Sequence, residues 1–425
     1  MPLTIRRVDA LEILDSRGNP TVSVEVELAG GTFGEAKVPS GASTGTHEAV
    51  ELRDGDRARY AGKGVRRAVR NVLEILGPAV EGMDAADQAA LDRRLLSLDG
   101  TPQKSALGAN ALLGVSCAVA RAAAAARRVP LWQHLQGQRT ASLPLPMVNI
   151  LSGGLHAGRQ FEFQDFLAIP HGLPDYPSAL EALVAIHRAA RAELADRGYL
   201  LTGVADEGGW GPRLPANELA LEVLTRSIER AGHQPGSQVS IAVDVAATHF
   251  YQDGRYHLHS EGRVLSSEEL IELLAGWVRR FPIVSIEDGL AEDDWGGWKR
   301  LTEALGSRIQ ILGDDLFVTN LARLERGIAG GVANAVLVKM NQIGTLTETF
   351  AVIDRALAAG YRAVISARSG ETEDDFLADL AVASGAGQIK IGSARTSERL
   401  AKYNRLLKIA RATGFPMATW VTPAN

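Results

Sequence analysis

Short apolar runs recur through the second half of the chain, and each ends abruptly at polar residues, most of them charged. The clearest run is Ile283-Val284-Ser285-Ile286, which leads directly into Glu287 and Asp288. Runs of this length that are rich in β-branched residues indicate buried strands. The other runs lead into Asp244, Asp314 with Asp315, Lys339, Ala367-Arg368-Ser369 and Lys390.

The spacing of these strand ends indicates how the strands are arranged. After the first gap, successive ends lie roughly 25 residues apart, which is the length of one strand–helix unit in a parallel barrel. The carboxyl ends of barrel strands meet at one face, where catalytic residues lie. We therefore expect an α/β barrel whose mouth carries three carboxylates and two lysines: Asp244, Glu287, Asp314, Lys339 and Lys390.

The first part of the chain has a different pattern. Residues 3–27 alternate apolar and polar side chains around a turn cluster at 15–20, and residues 32–38 read as a third strand. Residues 65–128 then follow helical spacing, which predicts an α+β domain. Pro144 and Pro146 mark a junction, so we expect an N-terminal domain over 1–138 and the barrel over 139–425.

Composition excludes several classes of protein. The net charge of −5 argues against a nucleic-acid partner, which requires basic patches. Cys117 is the only cysteine, so an intrachain disulfide is impossible and a reducing compartment fits. The first residues lack the apolar core of a signal peptide. The most apolar stretch, 106–126, is interrupted by Asn110 and Arg121 and predicts a buried helix and not a membrane span. We expect a cytoplasmic protein.

Asp244, Glu287 and Asp314 offer hard oxygen ligands from three strands, which suits Mg²⁺. The alternative is that each acid merely caps the following helix or loop. A lysine near a bound metal and a second ammonium has its charged form disfavoured, so Lys339 could act as a base. The alternative for both lysines is a structural ion pair.

Arg368 and Ser369 supply a guanidinium and a hydroxyl suited to phosphate. Together with the metal and the lysine base, they predict a small substrate that carries both a phosphate and a carboxylate. Three loops hold further candidates: 40–45, small and polar, which could be a mobile lid; 149–158, with His156; and Asp206-Glu207 among glycines. Each could also be an ordinary surface turn.

The sequence resembles the enolase (phosphopyruvate hydratase) family across essentially its whole length. The matching segments are DSRGNPTV at 15–22, VPSGASTG at 38–45, SLDGT at 97–101, IED at 286–288 with AEDDW at 291–295, KMNQIGT at 339–345, RSGETED at 368–374 and SERLAKYN at 397–404. Enzymes of this superfamily are the established example of a Lys or His base that works with one or two Mg²⁺ ions.

The resemblance implies an N-terminal α+β lid domain, a modified (β/α)8 barrel, and a homodimer or a higher assembly of dimers. It implies one Mg²⁺ on Asp244, Glu287 and Asp314, and a second, substrate-borne Mg²⁺ completed by Ser40. It also implies roles in the reaction of 2-phosphoglycerate: Lys339 as the base at C2, Glu207 as the acid for the C3 hydroxyl with Asp165 as its partner, Lys390 for the carboxylate, and His156, Arg368 and Ser369 for the phosphate. Gln164 and Ala367 complete the residues expected to line the substrate.

Three positions in the site depart from the family pattern. Ala367 stands where the family has a histidine, and Asp165 stands where it has a glutamate, which draws the carboxylate back by about one methylene. His249 replaces a loop glutamate near Asp244. The metal ligands and both lysines are intact, so the changes fall on the end of the pocket that handles the C3 hydroxyl.

This selective pattern suggests a diverged paralogue that uses 2-phosphoglycerate or phosphoenolpyruvate with a phosphonate co-substrate. It would resemble carboxyphosphonoenolpyruvate synthase, an enolase relative of phosphonate and phosphinate natural-product pathways. The alternatives are an ordinary glycolytic enolase whose substitutions are neutral, and a non-catalytic enolase-fold binding protein. A dehydratase or racemase of the wider superfamily would not be expected to keep both the 40–45 loop and the Arg368-Ser369 pair.

Overall fold

A computed structural model describes residues 3–42, 45–201 and 203–420. The chain begins with a three-stranded antiparallel sheet in the order β1 (Ile5–Leu14), β2 (Pro20–Leu28) and β3 (Phe33–Lys37). The Asp15 carboxylate closes the first turn, because it accepts hydrogen bonds from the backbone nitrogens of Arg17 at 2.9 Å and Asn19 at 2.8 Å. The predicted hairpin and third strand are confirmed.

Helices cover one face of this sheet. They are α1 (Arg66–Asn71), α2 (Gly77–Val80), α3 (Gln88–Asp99), α4 (Ala109–Arg127) and α5 (Leu131–Gln136), with a π-helical turn at Val72–Leu76 between α1 and α2. α4 packs directly on β2 and β3. It is long and apolar enough to cross a membrane, but 89% of its most apolar window is buried inside the protein. The prediction of a buried helix is confirmed.

Eight strands form a closed barrel. In their order around the barrel they are β4 (Leu145–Ser152), β5 (Asp165–Ile169), β6 (Ser240–Asp244), β10 (Ile283–Glu287), β11 (Gln310–Gly313), β12 (Ala335–Val338), β13 (Arg362–Ser366) and β14 (Gln388–Lys390). β5 pairs antiparallel with both neighbours, and the other pairs around the barrel are parallel. The predicted modified barrel is confirmed.

The reversal of β5 places its first residue, and not its last, at the mouth. Asp165 pairs in register with Asp244, the last residue of β6. The loop between β4 and β5 therefore lies on the same face as the carboxyl ends of the other strands. The expectation that site residues follow strand ends holds for six strands, β6 and β10 to β14, whereas Asp165 lies at the start of its strand.

Outside the barrel lie α6 (Tyr176–Asp196), α7 (Glu218–Arg230), α8 (Ser267–Arg280), α9 (Trp295–Leu305), α10 (Leu321–Gly330), α11 (Leu346–Ala358), α12 (Phe376–Ser384) and α13 (Ser397–Thr413). A small antiparallel sheet of β7 (Tyr251–Gln252), β8 (Arg255–Leu258) and β9 (Arg263–Leu265) follows β6. The barrel interior is filled by apolar side chains such as Leu145, Met147, Leu167, Leu312 and Leu337. The barrel is thus a packed core, which holds the strand ends in fixed positions.

Polar contacts join the N-terminal domain to the barrel. The buried Asp92 of α3 accepts hydrogen bonds from the backbone nitrogen and hydroxyl of Thr347 on α11, at 2.9 and 2.6 Å. Arg121 of α4 pairs with Asp374 at 2.6 Å and with Asp375 at 2.7 Å, just before α12. A division of the chain after residue 138, between α5 and β4, stays a prediction.

Candidate active site

Three carboxylates end neighbouring strands at the barrel mouth. Asp244 and Glu287 are the last residues of β6 and β10 and lie opposite each other in register. Asp314 follows β11 directly. All three side chains are buried, as are the two lysines at the ends of later strands. The structure therefore brings the predicted carboxylates and lysines together on one face.

Each lysine forms ion pairs with different carboxylates of this group: Lys390 with Asp244 and Glu287, and Lys339 with Asp314. The Lys390 Nζ atom is 2.9 Å from Asp244 and 2.7 Å from Glu287. Lys339 donates to Asp314, which also accepts a 2.9 Å hydrogen bond from Gln342. The alternative interpretation of the lysines as ion-pair partners thus describes their contacts in this structure.

The cluster holds three carboxylates but only two lysines. Burial, with repulsion from Asp244, holds the pKa of Glu287 well above its usual value, even though Lys390 opposes this. Burial also opposes the charge of Lys390, but Asp244 and Glu287 outweigh it and raise the pKa of the ammonium. Crowded, buried carboxylate oxygens that one lysine cannot fully neutralise are a donor set that fits a hard divalent cation. Asp244, Glu287 and Asp314 stay the predicted ligands of Mg²⁺.

Lys339 is charged in this arrangement. Burial lowers its pKa, but the contact with Asp314 outweighs both burial and the neighbouring cations, so the pKa of Lys339 is raised. The expectation that its charged form is disfavoured concerned a lysine beside a bound metal ion, and it stays a prediction. Lys339 could accept a proton only once the Asp314 carboxylate is engaged by another cation, because the ion pair is what stabilises the ammonium.

Two further buried acids lie behind the metal candidates and were missed by the sequence analysis. Asp288 accepts hydrogen bonds from the backbone nitrogens of Asp314, at 3.0 Å, and Asp315, at 2.8 Å, and so fixes the turn after β11. Burial and Asp314 raise the pKa of Asp315 to about 8. The doubled acids at the ends of β10 and β11 were the available signal.

A second cluster is built on the reversed strand. The carboxylate of Asp165, fully buried, accepts hydrogen bonds from Asn149 at 2.5 Å and Ser152 at 2.7 Å, and its other oxygen lies 2.8 Å from His156 Nδ1. His156 Nε2 lies 3.9 Å from a carboxylate oxygen of Glu207. The expected pairing of Asp165 with Glu207 is therefore indirect, because the imidazole of His156 stands between the two acids.

The charges around this cluster favour the protonated form of the histidine. Burial disfavours the imidazolium, but Asp165 and Glu207 outweigh burial and raise the pKa of His156 to about 9. Burial likewise raises the pKa of Glu207, but His156, Arg399 and Lys390 together bring it below its usual value. Glu207 is thus ionised, and an acid at this end of the site would draw its proton from His156.

The predicted phosphate-binding pair faces the N-terminal domain. Arg368 donates to Glu48 at 3.1 Å and to Asn341 at 2.9 Å. The Ser369 hydroxyl accepts a hydrogen bond from the backbone nitrogen of Ala42 at 2.7 Å. His156 contacts Asp165, and the phosphate-binding roles of all three residues stay predictions.

The predicted lid lies against the barrel. The backbone of Ser40 pairs with Gly370 in both directions, at 2.7 and 2.9 Å. The Ser40 hydroxyl accepts from Arg53 at 2.7 Å and lies 3.2 Å from Glu51. Ser43 and Thr44 of the 40–45 loop lie outside the described residues. The role of Ser40 as a ligand of a second metal ion stays a prediction.

The remaining predicted residues border the carboxylate cluster. Gln164 donates to Asp244 at 3.2 Å, and its buried side-chain oxygen has no partner within the described parts of the chain. The backbone nitrogen of Ala367 donates to the Lys390 carbonyl at 2.9 Å, and its side chain is 6% exposed within the main apolar core. Both positions adjoin Asp244 or Lys390.

Comparison with known protein families gives two matches. The model of the family described as "Enolase, C-terminal TIM barrel domain" matches residues 140–418. The model described as "Enolase, N-terminal domain" matches residues 5–135. The two matches adjoin at the segment between α5 and β4, and together they span both the sheet-and-helix domain and the barrel.

Proposed function

Because the chain belongs to the enolase family, we propose that it is a magnesium-dependent enzyme that removes the C2 proton of 2-phosphoglycerate or takes up phosphoenolpyruvate. We propose further that it is specialised for a phosphonate co-substrate, in the manner of a carboxyphosphonoenolpyruvate synthase of phosphonate or phosphinate natural-product biosynthesis. The observation that carries the proposal is the meeting of Asp244, Glu287 and Asp314 with Lys339 and Lys390 at one buried mouth.

Asp244, Glu287 and Asp314 would hold Mg²⁺, and Ser40 would complete a second site when substrate is present. When bound, Mg²⁺ supplies positive charge that neutralises the substrate carboxylate and makes the C2 proton more acidic. Lys390, which pairs with Asp244 and Glu287 in the structure, would bind that carboxylate.

Once Asp314 no longer neutralises its charge, the Lys339 ammonium releases a proton to solvent, and its neutral Nζ atom then takes the C2 proton. The bond between C3 and its hydroxyl oxygen then breaks, and the hydroxyl leaves as water with a proton passed from His156 through Glu207. Asp165 holds His156 in place through its Nδ1 atom. A positioned acid of this kind typically contributes about 10²–10⁴-fold to the rate.

The specialisation is supported by which end of the site has changed. The carboxylates and lysines that handle C2 are intact, whereas Ala367 and Asp165 alter the end that handles the C3 hydroxyl. The alternative function is that of an ordinary enolase, 2-phospho-D-glycerate hydro-lyase. The presence of all three carboxylates and both lysines is compatible with that function too.

One experiment separates these functions. The purified protein is incubated with Mg²⁺ and 2-phosphoglycerate, and phosphoenolpyruvate is followed by its ultraviolet absorbance and by ³¹P NMR. Turnover at ordinary enolase rates would favour the ordinary enolase. For the specialised enzyme we expect the C2 proton to exchange with deuterated solvent while little phosphoenolpyruvate accumulates, and a new phosphorus resonance when free or nucleotide-activated phosphonoformate is added.

A pair of lysine variants tests whether the chain is an enzyme at all. Lys339→Ala should abolish exchange of the C2 proton, whereas the exposed Lys299 can be replaced by alanine without effect. If Lys339→Ala exchanges the proton as fast as the unchanged protein, Lys339 is not the base, and a non-catalytic binding protein becomes the better interpretation.

Two broader properties are proposed on the basis of family membership alone. We expect the protein to act in the cytoplasm, and to form a homodimer or an assembly of dimers. Light scattering coupled to size-exclusion chromatography would test the second expectation, and a mass equal to that of one chain at micromolar concentration would contradict it.

A further inference from the structure

A cavity of 130 Å³ opens between the β4–β5 loop and the segment that follows β6. Its volume is well above the about 10–15 Å³ that one water molecule requires. Three side chains in its lining can carry positive charge: Arg159, His249 and His259. Apolar groups, including Leu155 and Phe250, form the rest of the wall.

The carboxylate in the lining, that of Glu162, is held by hydrogen-bond donors from residues that do not line the cavity. Glu162 accepts from the backbone nitrogen of Ser260 at 2.8 Å, from its hydroxyl at 2.6 Å and from Asn217 at 2.9 Å. The side chain of Arg159, in contrast, makes no ion pair or hydrogen bond with any residue among 3–42, 45–201 and 203–420. The lining thus combines an arginine that has no ion pair in the described chain, two histidines and an apolar wall.

The backbone holds Arg159 in a disfavoured conformation. Its φ of 58° lies in the left-handed region, and its backbone nitrogen donates to the Gly154 carbonyl at 2.6 Å. A non-glycine residue in this region is uncommon, and such residues cluster at functional sites. Arg159 is exposed and also lines the cavity.

His249 links the cavity to the metal candidates. Its Nδ1 atom is buried without a hydrogen-bond partner in the described chain, which is a costly state for a polar group. Its ring lies within electrostatic range of Asp244, Asp314 and His156, and of Arg159 on the cavity side. A ligand in the cavity would therefore lie beside the substrate site and could satisfy His249.

We propose that this cavity, defined by Arg159, His249 and His259, binds the anionic group of a second substrate next to the metal site. The chemical class is a small oxyanion, either a phosphonate or a carboxylate, whose charge pairs with Arg159 and whose oxygen accepts from His249. This inference rests on the proposed function, because a second substrate is what the subsite would serve.

The test measures binding and not turnover. Phosphonoformate is titrated into the Mg²⁺-loaded full chain by calorimetry, with 2-phosphoglycerate already present at saturation. We expect one phosphonoformate to bind per chain, and Arg159→Ala and His249→Ala each to weaken its affinity about tenfold or more, as loss of a charge-assisted hydrogen bond implies. Arg255→Ala, an exposed arginine of the neighbouring β8, is the matched control and should bind as tightly as the unchanged protein.

Three outcomes would overturn the subsite: no binding of phosphonoformate, equal affinity in Arg159→Ala and the unchanged protein, or complete competition by 2-phosphoglycerate. The proton-exchange experiment reports separately on the proposed function. Exchange without phosphonoformate binding would leave that function standing and remove the subsite. Binding that depends on Arg159 in a protein that shows no exchange would keep the subsite and remove the proposed function.

Discussion

Ala367 has a backbone hydrogen bond to Lys390 and a side chain that is buried in the apolar core. Ala367 follows β13, and its backbone nitrogen holds the carbonyl of Lys390, so the residue is fixed beside a lysine of the site. The family has a histidine here, and the side chain present is buried in the apolar core. An imidazole at position 367 would therefore have to fit among the apolar side chains that pack around Ala367.

Ala367→His should raise the conversion of 2-phosphoglycerate to phosphoenolpyruvate and weaken the use of any bulky co-substrate. The added ring supplies a proton-bearing group and fills volume at the same time. Ala367→Val separates these effects, because it fills volume without a titratable group and should lower co-substrate use alone. Steady-state rates for both reactions check this, and no change in either for Ala367→His would contradict the hypothesis of a widened pocket.

His156 is the residue whose charge depends most clearly on the fold. Its pKa is about 9 in the folded protein, against the ordinary value of 6.5. A histidine whose pKa is raised on folding contributes stability that is fully present below the ordinary value and is lost as pH rises through the folded value. The ion pair with Asp165 therefore stabilises the protein at pH 6 and not at pH 10.

His156→Gln should accordingly flatten the dependence of unfolding free energy on pH between about 6.5 and about 9. His187→Gln is the control, because burial lowers the pKa of His187 to about 4 and leaves it neutral across that window. Denaturant titrations at several pH values measure both slopes. Equal slopes for His156→Gln and the unchanged protein would show that His156 is not charged in the folded state.

At the scale of elements, β3 and α4 are packed in direct backbone contact. A Cβ atom at Gly34 of β3 would lie 2.3 Å from the Ala118 carbonyl oxygen and 2.3 Å from the Ala122 nitrogen of α4. The alanine-rich sequence of α4 permits this approach, since small side chains let the helix backbone come close to the sheet. Gly34 thus sets the distance between the sheet and its helix.

Gly34→Ala should destabilise the protein by about 1–3 kcal/mol, the usual cost of overpacking a well-packed contact. Gly276→Ala in α8 is the control, because its Cβ would meet only the end of Arg279 at 3.7 Å and alanine favours the helix by about 1 kcal/mol. Chemical denaturation measures both changes. A loss of stability in Gly276→Ala and none in Gly34→Ala would contradict the packing argument.

β5 shows how one reversed element changes a site. Reversal brings the start of the strand to the mouth, where Asp165 lies in register with Asp244. The loop from β4 must then cross the mouth, and it carries His156 and Arg159 there. A parallel β5 would have placed its first residue, Asp165, at the opposite end of the barrel, far from the carboxylates.

At the scale of the whole molecule, the site is closed by groups from both domains. Glu48 of the N-terminal domain pairs with Arg368 of the barrel, and Ser40 pairs with Gly370. The carboxylates for the cation come from three separate strands. A cation bound there would tie these strands together, so its binding should stabilise the folded chain as a unit.

Mg²⁺ at about 100 times its dissociation constant should raise the unfolding free energy by about 2.7 kcal/mol, and a chelator should remove this gain. Asp314→Asn should reduce the gain, because it removes one charged ligand from the expected set. Asp253→Asn, at an exposed turn, is the control and should show the full gain. Calorimetric melting with and without Mg²⁺ decides this, and equal gains in both variants would exclude Asp314 as a ligand.

The sequence alone determined which residues share the mouth of the barrel. Strand-ending acids and lysines at regular spacing converge whenever parallel strands close into a barrel, whatever the loops between them do. The spacing and the β-branched composition of the apolar runs therefore predicted five barrel strands: those that end at Asp244, Glu287 and Lys390, and those that precede Asp314 and Lys339. The hairpin of the first domain followed in the same way from alternation and turn chemistry.

Only the tertiary structure decided which of these groups are partners. Arg368 meets Glu48, which lies 320 residues earlier, and His156 separates Asp165 from Glu207. Ion pairs and protonation states depend on distance and burial, and a linear pattern carries neither quantity. For this reason the sequence could nominate Lys339 as a base, whereas the fold decided that Asp314 keeps it charged until that carboxylate is taken by another cation.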